Sequence, residues 1–380
     1  MTTSNLHTNG HASPTSLQTI SQPPGQPNKA YIISTQDGEI IYIPLSISAT
    51  RLLITGKETS NAFALVGSAG SQSDPIGFHY HQQTHDVFLC LQGKINVWAN
   101  DQSRTMEPGD FASVPPNVIH QYQILGPHSE FIGLICPGGW EAFFRVLGDP
   151  YNGPQWPAND SRPFHEALLP RLKAAAQEFD MIPCPQHAFF GPQPWLETDN
   201  ALPGKPAPYF VKNATGPAWE LGGMVARPLV TGKESEDKFS IGSIETSAQY
   251  NTSSIFSTTT AETPSRHLKF PKTHHAFLLV AGSVKFNLSE NNAEKASSTS
   301  ETTLTASEVI YIPANTAFHF TTTSRYAKMY AFASGEGLIA MLCQLGTTHG
   351  STILPEKAGE WDRKVVAEER LEEKFGAMVL

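Results

Sequence analysis

Short apolar runs alternate with polar, turn-forming breaks along most of this chain. The runs are rich in Val, Ile, Phe and Tyr, and the breaks in Gly, Pro, Asn and Asp. That is the pattern of antiparallel strands joined by tight turns. In the first half it predicts strands over 86–91, 95–99, Phe111–Val114, 121–125 and 131–136. Apolar residues three and four apart predict helices over 140–147 and Leu338–Leu345. A further helix is expected over 168–179, with Ser161 as a candidate N-cap upstream. A charged helix is expected over 356–375, with Trp361, Val365 and Leu371 packing on a neighbouring wall and its charges facing solvent.

The strand pattern is written twice. Residues 51–63 read RLLITGKETSNAF and residues 227–239 read RPLVTGKESEDKF, an offset of 176. Further on, Gln92-Gly93-Lys94 corresponds to Ala281-Gly282-Ser283. Val114-Pro115-Pro116-Asn117 corresponds to Ile312-Pro313-Ala314-Asn315, now at an offset of 198. The offset grows because the second copy carries extra polar residues, notably 291–300, which read as an exposed loop. Five units follow: a disordered tail over 1–30, a first barrel over 31–150, a linker with a helix over 151–205, a second barrel over 206–350, and a C-terminal helix over 351–380.

Composition narrows the class. A chain of 380 residues with 39% hydrophobic residues supports more than one core. A net charge of −9 excludes a large basic surface for nucleic acid. No stretch reaches the ~18 consecutive apolar residues of a membrane span, and the polar start of the chain has no signal-peptide core. Cys90, Cys136, Cys184 and Cys343 form no CxxC pair, so a cytoplasmic protein with reduced thiols is expected. A homodimer stays open as an assembly.

The chemistry lies in Gly77-Phe78-His79-Tyr80-His81-Gln82-Gln83-Thr84-His85-Asp86. His79 and His81 are two apart, so on a strand both imidazoles point to one face. Asp86 stands five after His81, an odd separation, so the Gln82–Thr84 stretch must turn or bulge to bring it back. From Asp86, alternation puts Phe88 and Cys90 on the interior face and Val87, Leu89 and Leu91 on the other. Downstream, Pro115-Pro116-Asn117 turns the chain and His120 opens the next strand, adding a third imidazole. Three histidines, with or without a carboxylate, suit one divalent transition metal: Cu, Fe, Ni, Mn, Co or Zn. His85 is expected to face away from Asp86, and His128 to be solvated in its Gly-Pro-His-Ser turn.

These residues match the paired cupin signature: His79, His81, Asp86 and Gly93 its first half, Gly109, Pro115, Asn117 and His120 its second. The segment 79–148 also resembles the fungal quercetin 2,3-dioxygenases, through Val114–His120 and Pro137-Gly138-Gly139-Trp140-Glu141. The resemblance implies an all-β bicupin: two double-stranded β-helix (jelly-roll) barrels with a few short helices. In that family the acid is a glutamate that can bind the metal and act as base; here Asp86, one methylene shorter, takes its place. Asp86 is expected either to ligate the ion or to stand behind it. The shorter arm points away from quercetin itself as substrate.

In the second copy, Leu268 and Phe270 stand where His79 and His81 do, His275 replaces Asp86, and Phe318 replaces His120. His319 is one position off and points the other way, so this barrel is expected to be metal-free. Candidate walls for the site are Phe88, Tyr122, Phe131 and Trp140, with Leu53 and Thr55 added from the opening strand. They suit a flat aromatic small molecule. Arg51 and Lys57 recur in the second copy and read as structural. The expected function is a metal-dependent dioxygenase of a phenolic or enolisable aromatic metabolite, with Asp86 as catalytic base. The alternative keeps the site as a Lewis acid for a non-oxidative cyclase, lyase or decarboxylase.

Overall fold

The computed structural model describes residues 15–257, 266–290, 298–361 and 369–380. The architecture is two β-barrels of jelly-roll type with a few short helices. In the first barrel two long antiparallel strands dominate, His85–Ala99 and His120–Cys136, paired from His120↔Ala99 to Cys136↔His85. Each joins two expected strands into one. The pairing slips between Leu125 and Glu130, and there both strands turn a corner. Gly93 makes the corner workable: its φ is +67°, and a Cβ would lie 2.1 Å from Ser129 Oγ, so only glycine fits. Ala64–Gly70 extends the sheet on one side of this pair. Phe111–Val114 extends it on the other.

The second barrel packs one sheet, built on Met224–Val230, Phe239–Thr246, His275–Ala281 and Ala327–Ser334, over another built on Ser283–Glu290, Ser298–Thr305 and Ala317–Thr322. Phe270, Phe277, Phe286, Phe318 and Leu342 are fully buried in its interior. The repeated TGKE motif is a capping box. Thr55 caps the helix Gly56–Thr59 and Thr231 caps Gly232–Ser235, with Glu58 and Glu234 reciprocating.

The barrels exchange strands. Tyr31–Ser34 pairs with Glu308–Ile312 of the second barrel. Tyr209–Val211 pairs with Phe111–Val114 of the first. The boundaries expected at 31 and 206 are therefore crossed by the segments that follow them. A shared core with Tyr31, Leu53, Leu89, Phe239 and Phe332 lies between the barrels. Burial of these apolar faces joins the two units.

Other expectations need correction. The described part of the 1–30 segment is not disordered: Thr15–Ser16 pairs with Ser298–Thr305, and Thr19–Ile20 with Tyr31–Ser34. Leu17 and Ile20 hold it down by packing on the two cores. The linker helix is two, Phe164–Ala167 and Leu169–Glu178, and Ser161 caps neither. Among the described residues the expected C-terminal helix is present over Glu369–Phe375, and 356–361 is not helical. Leu371 and Trp361 pack on the second core, whereas Val365 lies outside the described residues. Most of the expected loop also lies outside them, and 298–300 begins a strand. No helix among the described residues is long and apolar enough to cross a membrane.

Candidate metal centre

Two short segments build the site on the first barrel. His79–His81 is a three-residue strand whose partner on one side is the start of His120–Cys136, with His79 opposite His120. Asn117, at φ +64°, makes the turn before His120. Its N–H donates to the His81 carbonyl at 2.6 Å. The two halves of the sequence motif are thus tied together by a backbone hydrogen bond, and the histidines converge.

The imidazoles are oriented by main chain. Nδ1 of His79 lies 2.9 Å from the Gly77 carbonyl, Nδ1 of His81 3.1 Å from the Asp180 carbonyl, and Nδ1 of His120 2.9 Å from the Val118 carbonyl. A proton on each Nδ1 satisfies the carbonyl and leaves Nε2 as a lone-pair donor. The three rings each offer one ligand atom, all within 4.8 Å of one another. His81 and His120 are buried and His79 is half-buried.

Asp86 returns to this face. Its Oδ2 stands 3.4 Å from Nε2 of His81 and 3.4 Å from Nε2 of His120. Burial works to raise the Asp86 carboxyl, and the imidazoles of His120 and His81 outweigh it, holding it well below the usual carboxylate range. Burial, then the neighbouring rings of His120 and His81, pushes His79 down to about 3, so it is neutral near pH 7. Burial opposes charge on His81, yet the Asp86 carboxylate, then the Asp180 backbone carbonyl and the Asp180 charge, raise it above its ordinary value. Nε2 of His81 and Oδ1 of Asp86 are buried without a hydrogen-bond partner. Such orphaned donors in a shared site are what a cation would satisfy. The residues present therefore fit a divalent transition metal.

The remaining candidates divide. Phe88, Phe131 and Tyr122 share the first barrel's interior cluster, with Phe88 6.4 Å from His120 and Tyr122 5.0 Å from Phe131 between ring centroids. Cys90 is buried among them, while Val87, Leu89 and Leu91 pack on the opposite face. Burial and the Asp86 charge push the Tyr122 hydroxyl up to about 12. Trp140 reaches the site from behind, edge-on to His81 at 4.6 Å, and stacks on Phe143 outside the barrel interior. Leu53 and Thr55 do not line the site. Leu53 is buried in the core between the barrels, and Thr55 is spent on its helix cap. His85 points away, bonded to Ser113 at 2.8 Å. His128 is not freely solvated; it pairs with Glu130 at 2.6 Å and lies against Trp156.

Asp180 carries no local sequence signal. It reaches the site because Met181–Pro183 adds a strand beside His79–His81, a contact between segments about a hundred residues apart.

In the second barrel, Leu268 lies opposite Phe318 as His79 lies opposite His120. His275 takes the place of Asp86 and is surrounded by Phe270, Phe277 and Phe318. Leu268, Phe270 and Phe318 have no atoms that ligate a metal. His319 leans on His267 instead, at 3.0 Å.

A cupin domain model matches residues 69–129, the segment that contains all three histidines. The quercetin 2,3-dioxygenase of Aspergillus japonicus is 28% identical over 334 residues, covering 80% of this chain and 89% of that protein. By architecture, two jelly-roll barrels with a cupin match in the first, the chain is of bicupin type. The quercetin 2,3-dioxygenase of Bacillus subtilis is 34% identical over 155 residues, a match that covers 38% of the bicupin and less than half, 46%, of that protein. Among solved structures, an oxalate decarboxylase variant from B. subtilis aligns over 86% of the bicupin and 78% of its own chain, at 12% identity and a TM-score of 0.49. The sequence likeness to the Aspergillus japonicus enzyme thus runs along most of the bicupin's length.

Proposed function

We propose that this bicupin is a metal-dependent dioxygenase, quercetinase-like, that acts on a phenolic or enolisable aromatic metabolite, as in secondary metabolism. The observation that carries the reading is the convergence of His79, His81, His120 and Asp86 at one end of a wall of aromatic rings. His79, His81 and His120 would hold the ion, one per chain, with Asp86 as a fourth ligand or standing behind it. When bound, a divalent transition ion would supply Lewis acidity and, for any of the candidate ions except Zn, one-electron redox capacity.

The chain's own residues do the rest. Asp86, ionised and with a free Oδ1, is placed to accept the proton of a phenolic or enolic hydroxyl. Phe88, Phe131 and the ring of Tyr122 form an apolar wall that orients a flat substrate and excludes water. Tyr122 keeps its proton near neutral pH and serves as a donor, not a base. Both relatives named above as quercetin dioxygenases support this reaction class. The aspartate, with its shorter arm, favours an aromatic metabolite other than quercetin. A cytoplasmic location and a homodimer accord with the sequence.

The decisive experiment is turnover with and without oxygen. With labelled O₂, both atoms are expected in the product, and no reaction under strict anaerobiosis. Full anaerobic activity, giving an isomer or a product short of water or carbon dioxide, would replace this reading with Lewis-acid chemistry at the same site.

A further inference from the structure

We propose that Asp180, in the segment connecting the barrels, is the positioning residue that sets the geometry of His81 and Asp86. This rests on the metal-site reading above. Asp180 immediately precedes Met181–Pro183, which pairs with the ligand strand in the register Met181↔His81 and Pro183↔His79. It therefore lands beside the bend at Gln82–Thr84, where the chain must change parity to return Asp86 to the histidine face.

One residue meets four groups there. Its Oδ2 accepts from the Gln83 N–H at 2.8 Å. Its Oδ1 accepts from the Thr84 hydroxyl at 3.2 Å and from the Trp140 indole N–H at 2.9 Å. Its backbone carbonyl accepts from Nδ1 of His81 at 3.1 Å, and Oδ1 stands 3.8 Å from the same nitrogen. The first two bonds hold the bend, the third holds the ring lying edge-on to His81, and the last directs Nε2 of His81 into the site. Asp180 touches no reacting atom. It acts through His81 and Asp86, as outer partners of metal ligands do.

The chemistry requires a carboxylate. Gln83 N–H and Trp140 Nε1–H are obligate donors on different oxygens. An amide offers one acceptor oxygen, so Asp180→Asn must leave one of them facing an NH₂ group. A residue that only clamped the connector would be replaceable in effect by any other connector anchor. The Arg104–Asp199 pair, 2.7 Å and buried, is such an anchor away from the histidines.

The test uses full-length protein and Co(II) as probe, read by chelator competition and by visible absorption, with thermal melting to confirm folding. Asp180→Asn is expected to bind Co(II) roughly 10–100-fold more weakly, with an altered spectrum. Thr84→Val, which removes one bond to the same carboxylate, is expected to shift both readouts the same way by less. Asp199→Asn is expected to lower the melting temperature while keeping the wild-type spectrum and affinity. Wild-type affinity and spectrum in Asp180→Asn and Thr84→Val would overturn the proposal. So would an equal loss in Asp199→Asn, because Asp180 would then act only as a clamp. Failure of the wild type itself to bind Co(II) would remove the metal site, and the inference with it.

Discussion

Asp86 Oδ2 and His81 Nε2 stand 3.4 Å apart although they lie five positions apart in sequence. An unbroken strand would send the two side chains to opposite faces. They meet because Gln82–Thr84 leaves the sheet between His79–His81 and His85–Ala99. The strand resumes with Asp86, Phe88 and Cys90 turned to the interior. The carboxylate of the site thus depends on a bend, the His79 and His81 pair on strand parity, and His120 on the pairing of its strand with theirs.

Metal content follows from the two barrels' unlike side chains. Elemental analysis of purified protein is expected to give about one transition metal per chain. The His79→Ala/His81→Ala variant is expected to give near none. A value near two, or metal retained in that variant, would place the ion elsewhere.

Asp86→Asn separates binding from proton transfer. Three imidazoles can hold an ion without it, whereas an amide cannot accept a proton. Turnover is expected to fall by about 10²–10⁴-fold, while metal occupancy falls far less. Unchanged turnover at full occupancy would show that the base lies elsewhere.

His275 is expected to make the second barrel acid-sensitive. Burial, with a small contribution from His274, depresses it to about 3. The unfolded chain takes up this proton below about 6.5, and the folded chain does so only near 3. Stability is therefore present above pH 6.5 and is lost as pH falls through that window. Between pH 7 and 5 this one group removes about 2 kcal/mol. Denaturant melts of His275→Gln, which keeps an acceptor for the Leu338 N–H, are expected to show a shallower decline over that range. An identical slope would rule this contribution out.

Gly93→Ala tests the corner of the first barrel. The added methyl meets Ser129 Oγ and the His128 carbonyl at a positive φ. The expected loss is about 1–3 kcal/mol of stability, measured by denaturant unfolding. A neutral effect would mean that the corner relaxes freely.

Strand periodicity, the doubled TGKE segment and the HxH spacing were all local, and local patterns survive in one dimension. They sufficed for two all-β units, which the cupin resemblance made barrels, for a three-histidine site in the first, and for its replacement by Leu268, Phe270 and Phe318 in the second. They also placed Phe88 and Cys90 on one face and Leu89 on the other, since side-chain direction in a strand has a period of two. What they could not give were contacts between segments far apart in sequence. Leu53 was expected on the wall of the site, but it faces the core between the barrels, which the exchanged strand Tyr31–Ser34 helps to build. Thr55 became a helix cap, and Trp140 was drawn outward onto Phe143. Asp180 was invisible until Met181–Pro183 paired with the ligand strand. Which side chains stand behind the candidate ligands His79, His81 and His120 is set by packing of the whole chain, because hydrogen-bond partners are chosen by distance in space, not along the sequence.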